Sequence, residues 1–152
     1  MTDSQQHYLL IINGKSAGNP ALREAVEKQR QSGMLITVRA TWEGGDAADI
    51  AEQSESMGIT HVIACGGDGT VNEVMNGLMR LPHDRRPALG VVPLGSANDF
   101  ATSVGLPLEP GPALDAAMAL SPHPIDVVRV TAEAGGESAT NYYLNMTTGG
   151  FG

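Results

Sequence analysis

The chain has 152 residues, a single cysteine and a formal net charge of -8. This length suits one domain, and a content of 41% apolar and 17% charged residues is ordinary for a globular protein. The acidic balance argues against a general nucleic-acid or anionic-membrane surface, which needs clustered Lys and Arg, and no segment approaches the ~20 apolar residues of a membrane span.

Apolar runs that alternate with capped amphipathic segments predict an alternating order of strands and helices. A continuous run such as Tyr8–Ile12 is typical of a strand buried on both faces of a parallel sheet. Asn19 followed by Pro20 marks a helix start, and Gly33 marks its end. The remaining predicted elements are strands over 35–40, 61–65 and 88–92, helices over 46–57, from 70 to about 81, from 96, and over 113–120, and a hairpin over 125–146.

A glycine-rich turn follows the central predicted strand. Its glycines, Gly66, Gly67 and Gly69, allow the backbone to approach a ligand closely. The first amides of the helix that follows have no intrahelical partner and suit a phosphate. Asp68 disfavours a bare anion here, so the turn indicates a nucleotide handled with a divalent cation. The alternative is a tight strand-to-helix turn without a ligand.

Two capping patterns accompany the predicted turns. Thr70 and Glu73 form a T-x-x-E pattern, which predicts Thr70 as the N-cap of the helix and Glu73 as its partner. Ser96 and Asp99 repeat the pattern as S-x-x-D after the strand at 88–92. If the two strands are neighbours, both turns open on one crevice at the carboxyl edge of the sheet, where α/β proteins bind ligands.

Two common phosphate-binding motifs are excluded by single residues. A dinucleotide fingerprint that begins at Gly67 needs glycine at position 72, where Asn72 stands. The segment 14–16, Gly-Lys-Ser, resembles the end of a P-loop, but that loop needs glycine where Leu9 stands.

Three individual side chains carry further predictions. Lys15 follows the first strand and either approaches a phosphate or is a solvated loop lysine. Cys65 is predicted to be a small buried core residue, and one cysteine fits a reducing cytoplasm. Trp42 predicts packing beneath its loop, with stacking on a base as the lesser alternative.

Several segments resemble a known family. Residues 66–70 resemble the GGDGT signature of the superfamily that holds diacylglycerol kinases, sphingosine kinases, NAD kinases and phosphofructokinases. Residues 93–101 resemble the PLGTANDFA segment of bacterial lipid kinases. Together with residues 13–16, 41–43 and 145–152, the resemblance is strongest to the YegS-like group of those kinases, and it covers only their N-terminal half.

The resemblance implies a fold and a set of binding residues. The implied fold is that of the phosphofructokinase N-terminal domain, a three-layer, Rossmann-like α/β sandwich with a mainly parallel sheet, here followed by the C-terminal hairpin. In the lipid kinases the threonines that match Thr41 and Ser96 contact the nucleotide. The implied nucleotide-binding residues are Thr41, Gly66, Gly67, Asp68, Gly69, Thr70, Val71, Asn72, Glu73 and Ser96.

The resemblance also implies an activity. Such a kinase is cytoplasmic, acts peripherally at the membrane, and transfers the γ-phosphoryl group of ATP to a lipid hydroxyl, of diacylglycerol or of a phospholipid headgroup, with Mg²⁺. In the YegS-like kinases a second, β-rich lobe carries the catalytic base, a magnesium site and the lipid-facing surface. Residues 1–152 are therefore expected to be the nucleotide-binding domain, inactive alone and able to self-associate through residues 142–151.

No residue of the chain is assigned as the catalytic base, and no metal ligand is assigned. Two alternatives to a lipid kinase stay open. One is an NAD kinase, in which the loop aspartate, here Asp68, serves as the base. The other is a nucleotide-binding module without catalysis.

Overall fold

The structure is a computed structural model that describes residues 5–94, 102 and 105–119, together with the backbone of 127–134 and 137–144. Four parallel strands form the central sheet, in the order β2–β1–β3–β4. These strands are β1 (His7–Ile12), β2 (Leu35–Ala40), β3 (His61–Gly66) and β4 (Ala88–Pro93). The predicted mainly parallel sheet is thus confirmed.

Helices cover both faces of this sheet and complete the predicted three layers. They are α1 (Pro20–Gln31), α2 (Asp46–Gln53), α3 (Asp68–Met79) and α4 (Pro110–Ala119). Alternate residues of β1 enter two separate cores, as the strand period of two requires. Leu9 and Ile11 pack with α2 and α3, whereas Leu10 and Ile12 pack with α1 and α4. Cys65 is fully buried in the second core, as predicted.

Local signals set several of the helix ends. The side chain of Asn19 accepts a hydrogen bond from the Leu22 amide at 3.0 Å, which caps α1 as predicted. α2 ends at Gln53, and a short 3-10 turn, Glu55–Met57, continues it to Gly58, whose φ of 75° stops the chain from remaining helical. The predicted single helix over 46–57 is therefore two consecutive pieces.

The hairpin consists of β5 (Val127–Ala134) and β6 (Glu137–Leu144), which pair antiparallel as a separate two-stranded sheet. Both strands lie within the predicted hairpin, 125–146, and β6 runs beside α3. The predicted helix from Ser96 lies outside the described residues, as does most of the segment 142–151. Among the helices that the structure describes, none combines the length and apolar character that a membrane span requires.

The order of the strands places a topological switch point between β1 and β3. From β1 the chain adds β2 on one side of the sheet and then returns to add β3 and β4 on the other. In open α/β sheets, ligands bind outside the carboxyl ends of the strands at such a reversal. The loops after β1, β2 and β3 all leave from that edge.

Candidate functional site

A cavity of about 500 Å³ opens beside this switch point. Its volume lies in the range of small-molecule and cofactor sites. The loops after β1 and β2, the start of α2 and the first two turns of α3 supply its wall. Among the described residues, it is lined by Asn13, Gly14, Lys15, Thr41, Trp42, Glu43, Gly44, Ala47, Thr70 and Glu73.

Thr41 joins the loop after β1 to the end of β2. Its hydroxyl accepts a hydrogen bond from the Gly14 amide at 3.1 Å, and its own amide donates to the Ile12 carbonyl at 2.9 Å. A Cβ at position 14 would collide with the Thr41 carbonyl oxygen, so the loop requires glycine there. The predicted binding residue Thr41 therefore lines the cavity and also shapes its neighbouring wall.

Two carboxylates fix the loop between β2 and α2. Asp46 Oδ2 accepts from the Trp42 amide at 2.8 Å and from the Glu43 amide at 2.9 Å. These bonds favour the charged carboxylate and hold the pKa of Asp46 below its usual value. Glu73 Oε1 accepts from the Gly45 amide at 2.9 Å and so links α3 to the start of α2.

The predicted capping box at Thr70 and Glu73 is wrong. α3 begins at Asp68 with Gly67 as its N-cap, and this glycine has no side chain with which to cap the helix. Thr70 is therefore the third helical residue and Glu73 the sixth, so neither occupies the position that a capping box requires. Glu73 bonds Gly45 instead, 28 residues earlier in the chain.

Thr70 is buried beneath Gly66. A Cβ at position 66 would lie 2.6 Å from Thr70 Oγ1 and 2.8 Å from its Cβ, so this first glycine of the turn is required by packing. A Cβ at Gly69 would meet nothing within 4 Å. The two glycines thus have different roles, because the first admits Thr70 and the third leaves open space above the helix start.

The earlier start of α3 shortens the set of amides that can meet a ligand. The amide of Val71 donates to the Gly67 carbonyl at 3.1 Å, and its side chain is 2% exposed in the core. The amides that lack an intrahelical partner are therefore those of Gly67, the N-cap, and of residues 68–70.

The predicted site residues divide into three groups. The structure brings Thr41, Thr70 and Glu73 together on the cavity wall. Ser96 lies outside the described residues. The remaining members form the turn and the start of α3 and are not part of the described lining: Gly66, Gly67, Asp68, Gly69, Val71 and Asn72.

Trp42 is not packed beneath its loop. Its side chain is 94% exposed at the rim of the cavity, so that prediction is wrong. The backbone of the loop, rather than the indole, makes the contacts that hold this segment. Lys15 is also exposed on the rim.

The sequence analysis also missed lining residues, chiefly Asn13 and Glu43. Asn13 Oδ1 accepts from the Lys15 amide at 3.0 Å and shapes the turn after β1. Glu43 is exposed at the rim. The available signal was position, because Asn13 directly follows β1 and Glu43 lies in the loop that follows β2 at the same edge of the sheet.

The acid–base groups of the described region give no metal cage. Its His, Cys, Asp and Glu side chains form no group of three or more that could hold a metal ion. Burial raises the pKa of the Cys65 thiol far above its usual value, so this side chain is a protonated core group and not a nucleophile. Asn72 Oδ1 is buried without a hydrogen-bond partner.

The sequence matches the diacylglycerol kinase catalytic domain family over residues 7–130. It is 50% identical over 143 residues to a probable lipid kinase, YegS-like, of Chromohalobacter salexigens, with 94% of this chain and 43% of the relative covered. It is 49% identical over 146 residues to a probable lipid kinase, YegS-like, of Yersinia pestis, with 96% and 47% covered. The chain therefore spans less than half the length of these relatives.

Solved structures give the same assignment. The fold is similar to a putative diacylglycerol kinase from Bacillus anthracis, with a TM-score of 0.65 at 29% identity. That comparison covers 90% of this chain and 46% of the other. A second structure of a putative diacylglycerol kinase from the same organism gives a TM-score of 0.64.

Proposed function

The chain belongs to the diacylglycerol kinase catalytic domain family, and we propose that it is the ATP-binding domain of a lipid kinase. The whole protein would transfer the γ-phosphoryl group of ATP to a hydroxyl of diacylglycerol or of a phospholipid headgroup at the membrane surface. The relatives from Chromohalobacter salexigens and Yersinia pestis are called probable lipid kinases, which supports a lipid acceptor over NAD.

One observation carries the nucleotide site: the start of α3 meets the cavity at the switch point. Gly67 leaves this end without a side-chain cap, and Thr70 in the first turn lines the cavity. The first-turn amides and the positive end of the helix dipole favour a phosphate group there. Thr41 and Glu73 line the same cavity. Ser96, which follows β4 in the sequence, would add a further contact to the nucleotide.

Magnesium fits this site only together with the nucleotide. Mg²⁺ is commonly held by one or two carboxylates, waters and substrate phosphates, and the described residues offer no group of three acidic or histidine ligands. Asp68 at the start of α3 and Glu43 on the rim are the carboxylates nearest to that role. When bound, the ion would neutralise charge on the phosphates, which matters in a chain of net charge -8.

The chain's own contribution to phosphoryl transfer is positioning. It would hold the phosphates on the first turn of α3 and fix the rest of the nucleotide between the loops after β1 and β2. We assign the acceptor site, the base and the remaining wall to the part of the relatives' length that this chain does not span, a second, β-rich lobe.

ATP titration tests the site. The 152-residue chain should bind ATP weakly in the presence of Mg²⁺, as measured by calorimetry at high protein concentration. Gly69→Val should abolish that heat while leaving the fold intact, because its side chain would project into the open space above the helix start. Ala21→Val is the matched control, since Ala21 is the second residue of α1, as Gly69 is of α3, and it is exposed outside the cavity lining. Equal ATP affinity in a folded Gly69→Val variant would place the phosphates elsewhere.

A further inference from the structure

Trp42 is the only tryptophan of the chain, and its side chain is 94% exposed. Single exposed hydrophobic residues are common on protein surfaces, but an indole is among the largest apolar surfaces that a side chain can expose. Met34, at the other end of β2, is also exposed at 41%, but it does not line the cavity. Position at the rim therefore distinguishes Trp42 from an ordinary exposed apolar residue.

The backbone that carries the indole is fixed even though the ring is uncovered. Asp46 accepts from the amides of Trp42 and Glu43, and Glu73 holds the Gly45 amide. The loop that exposes Trp42 is thus held in place by hydrogen bonds to α2 and α3. An aromatic ring on such a loop loses little conformational freedom when it binds.

The space next to the ring is open. A Cβ at Gly44 or at Gly45 would meet nothing within 4 Å, so no neighbouring side chain fills the tip of the loop. The same cavity is lined by the polar side chains of Asn13, Lys15 and Thr41, and by the small side chain of Ala47. The cavity therefore offers one flat apolar surface beside groups that can bind a polar ligand.

We propose that Trp42 is a binding residue whose indole stacks on the base of the bound nucleotide. This inference rests on the proposed function, in which the triphosphate occupies the start of α3. A planar base with polar edges suits one aromatic face among polar side chains. The stack would strengthen binding roughly tenfold, in the range of base–aromatic contacts.

A lipid bilayer is the competing partner for an exposed indole, and the local charge disfavours it. Glu43 follows Trp42 directly, Asp46 anchors the same loop, and the chain carries a net charge of -8. Indoles that anchor proteins to anionic membranes act together with Lys and Arg. Along the described lining, Lys15 is the one basic side chain.

The test compares two ligands that differ only in the nucleoside. ATP and inorganic tripolyphosphate, each with Mg²⁺, are titrated into the parent chain and into Trp42→Leu, Trp42→Phe and Met34→Leu. Trp42→Leu should weaken ATP binding roughly tenfold and leave tripolyphosphate binding unchanged, whereas Trp42→Phe should retain most of the ATP affinity. Met34→Leu, at the opposite end of the strand, should change neither. In the parent chain, the fluorescence intensity of Trp42 should fall when ATP is added and should stay unchanged when tripolyphosphate is added.

The outcomes that overturn the inference are distinct. Unchanged ATP affinity in Trp42→Leu would remove the stack while leaving the proposed function intact. Equal weakening of both ligands would mean that Trp42 only supports the loop. A blue-shifted emission with phosphatidylcholine vesicles and no response to ATP would assign the indole to the bilayer. If the parent chain binds neither ligand, the proposed nucleotide site fails, and the stack fails with it.

Discussion

At the scale of single residues, the glycines of the turn after β3 show how similar positions can serve different physical needs. Gly66 is required by the fold, because Thr70 occupies the space that a side chain would take. Gly69 is not required by the fold, because the space beside it is open. Only the second kind of glycine is free to serve a ligand, and the two kinds can be separated by experiment.

Gly66→Ala should destabilise the fold by about 2 kcal/mol, since its Cβ would force Thr70 or the turn to move. Gly69→Ala is the matched control and should change the free energy of unfolding by less than about 1 kcal/mol. Urea unfolding followed by circular dichroism measures both. Equal stability of the two variants would contradict the close approach of Gly66 to Thr70.

Residues whose environment is set locally were predictable, and those set by distant contacts were not. Asn19 caps α1 because the amide that it binds is three residues away. Cys65 is buried because it continues an apolar strand. The T-x-x-E pattern misled at Thr70, because Gly66 covers that residue and because Glu73 is bound by Gly45 across the fold. The prediction that Trp42 packs beneath its loop was wrong for the same reason, since its exposure depends on how α2 and α3 anchor that loop.

At the scale of elements, α2 and α3 touch most closely at Gly77. A Cβ there would collide with the Ala48 carbonyl oxygen and would lie 2.8 Å from the Ala51 Cβ. Glycine is unfavourable inside a helix by about 1 kcal/mol relative to alanine, so close helix packing must offset this cost. The contact holds α2 against α3, next to the loop that carries Trp42.

Gly77→Ala should therefore destabilise the chain by about 2 kcal/mol or more despite the better helix propensity of alanine. Gly69→Ala in α3 is the control, because a Cβ at that position meets nothing within 4 Å. Thermal and urea unfolding give the two stabilities. If Gly77→Ala is as stable as the parent chain, the two helices are not in the close contact described.

The loop between β2 and α2 should respond to pH through Asp46. Its bonds to two amides lower its pKa in the folded chain, whereas the unfolded chain has the usual value of about 3.9. The stabilisation is therefore fully present above that unfolded value and is lost as pH falls through the lower, folded pKa. The stability difference between the parent chain and Asp46→Asn should shrink as pH is lowered from about 5 towards 2. Urea unfolding at several pH values measures this difference, and a difference independent of pH would contradict the assignment.

At the scale of the molecule, the sequence predicted the class of fold but not its arrangement. Apolar runs such as Tyr8–Ile12 predict buried parallel strands because both faces must be covered. The order β2–β1–β3–β4 depends on which strands pair, and no single run encodes that choice. The placement of the cavity follows from this order. Asn13 and Glu43 were therefore missed as lining residues, whereas Thr41 and Glu73 were predicted as binding residues from the resemblance.

The cavity wall that the structure describes is open at its rim, which leads to a prediction about the whole chain: it should not catalyse lipid phosphorylation alone. Phosphoryl transfer needs an acceptor hydroxyl in line with the γ-phosphate and a group that takes its proton. On the cavity wall, Glu73 already accepts from Gly45, and the exposed rim at Lys15, Trp42 and Glu43 does not exclude water.

The assay is transfer of labelled phosphate from ATP, with Mg²⁺, to diacylglycerol in mixed micelles and separately to NAD. The Chromohalobacter salexigens relative, which has more than twice the length, is assayed in parallel. Lipid-dependent turnover by the 152-residue chain that disappears in Asp68→Asn would contradict this prediction and place the base at the start of α3.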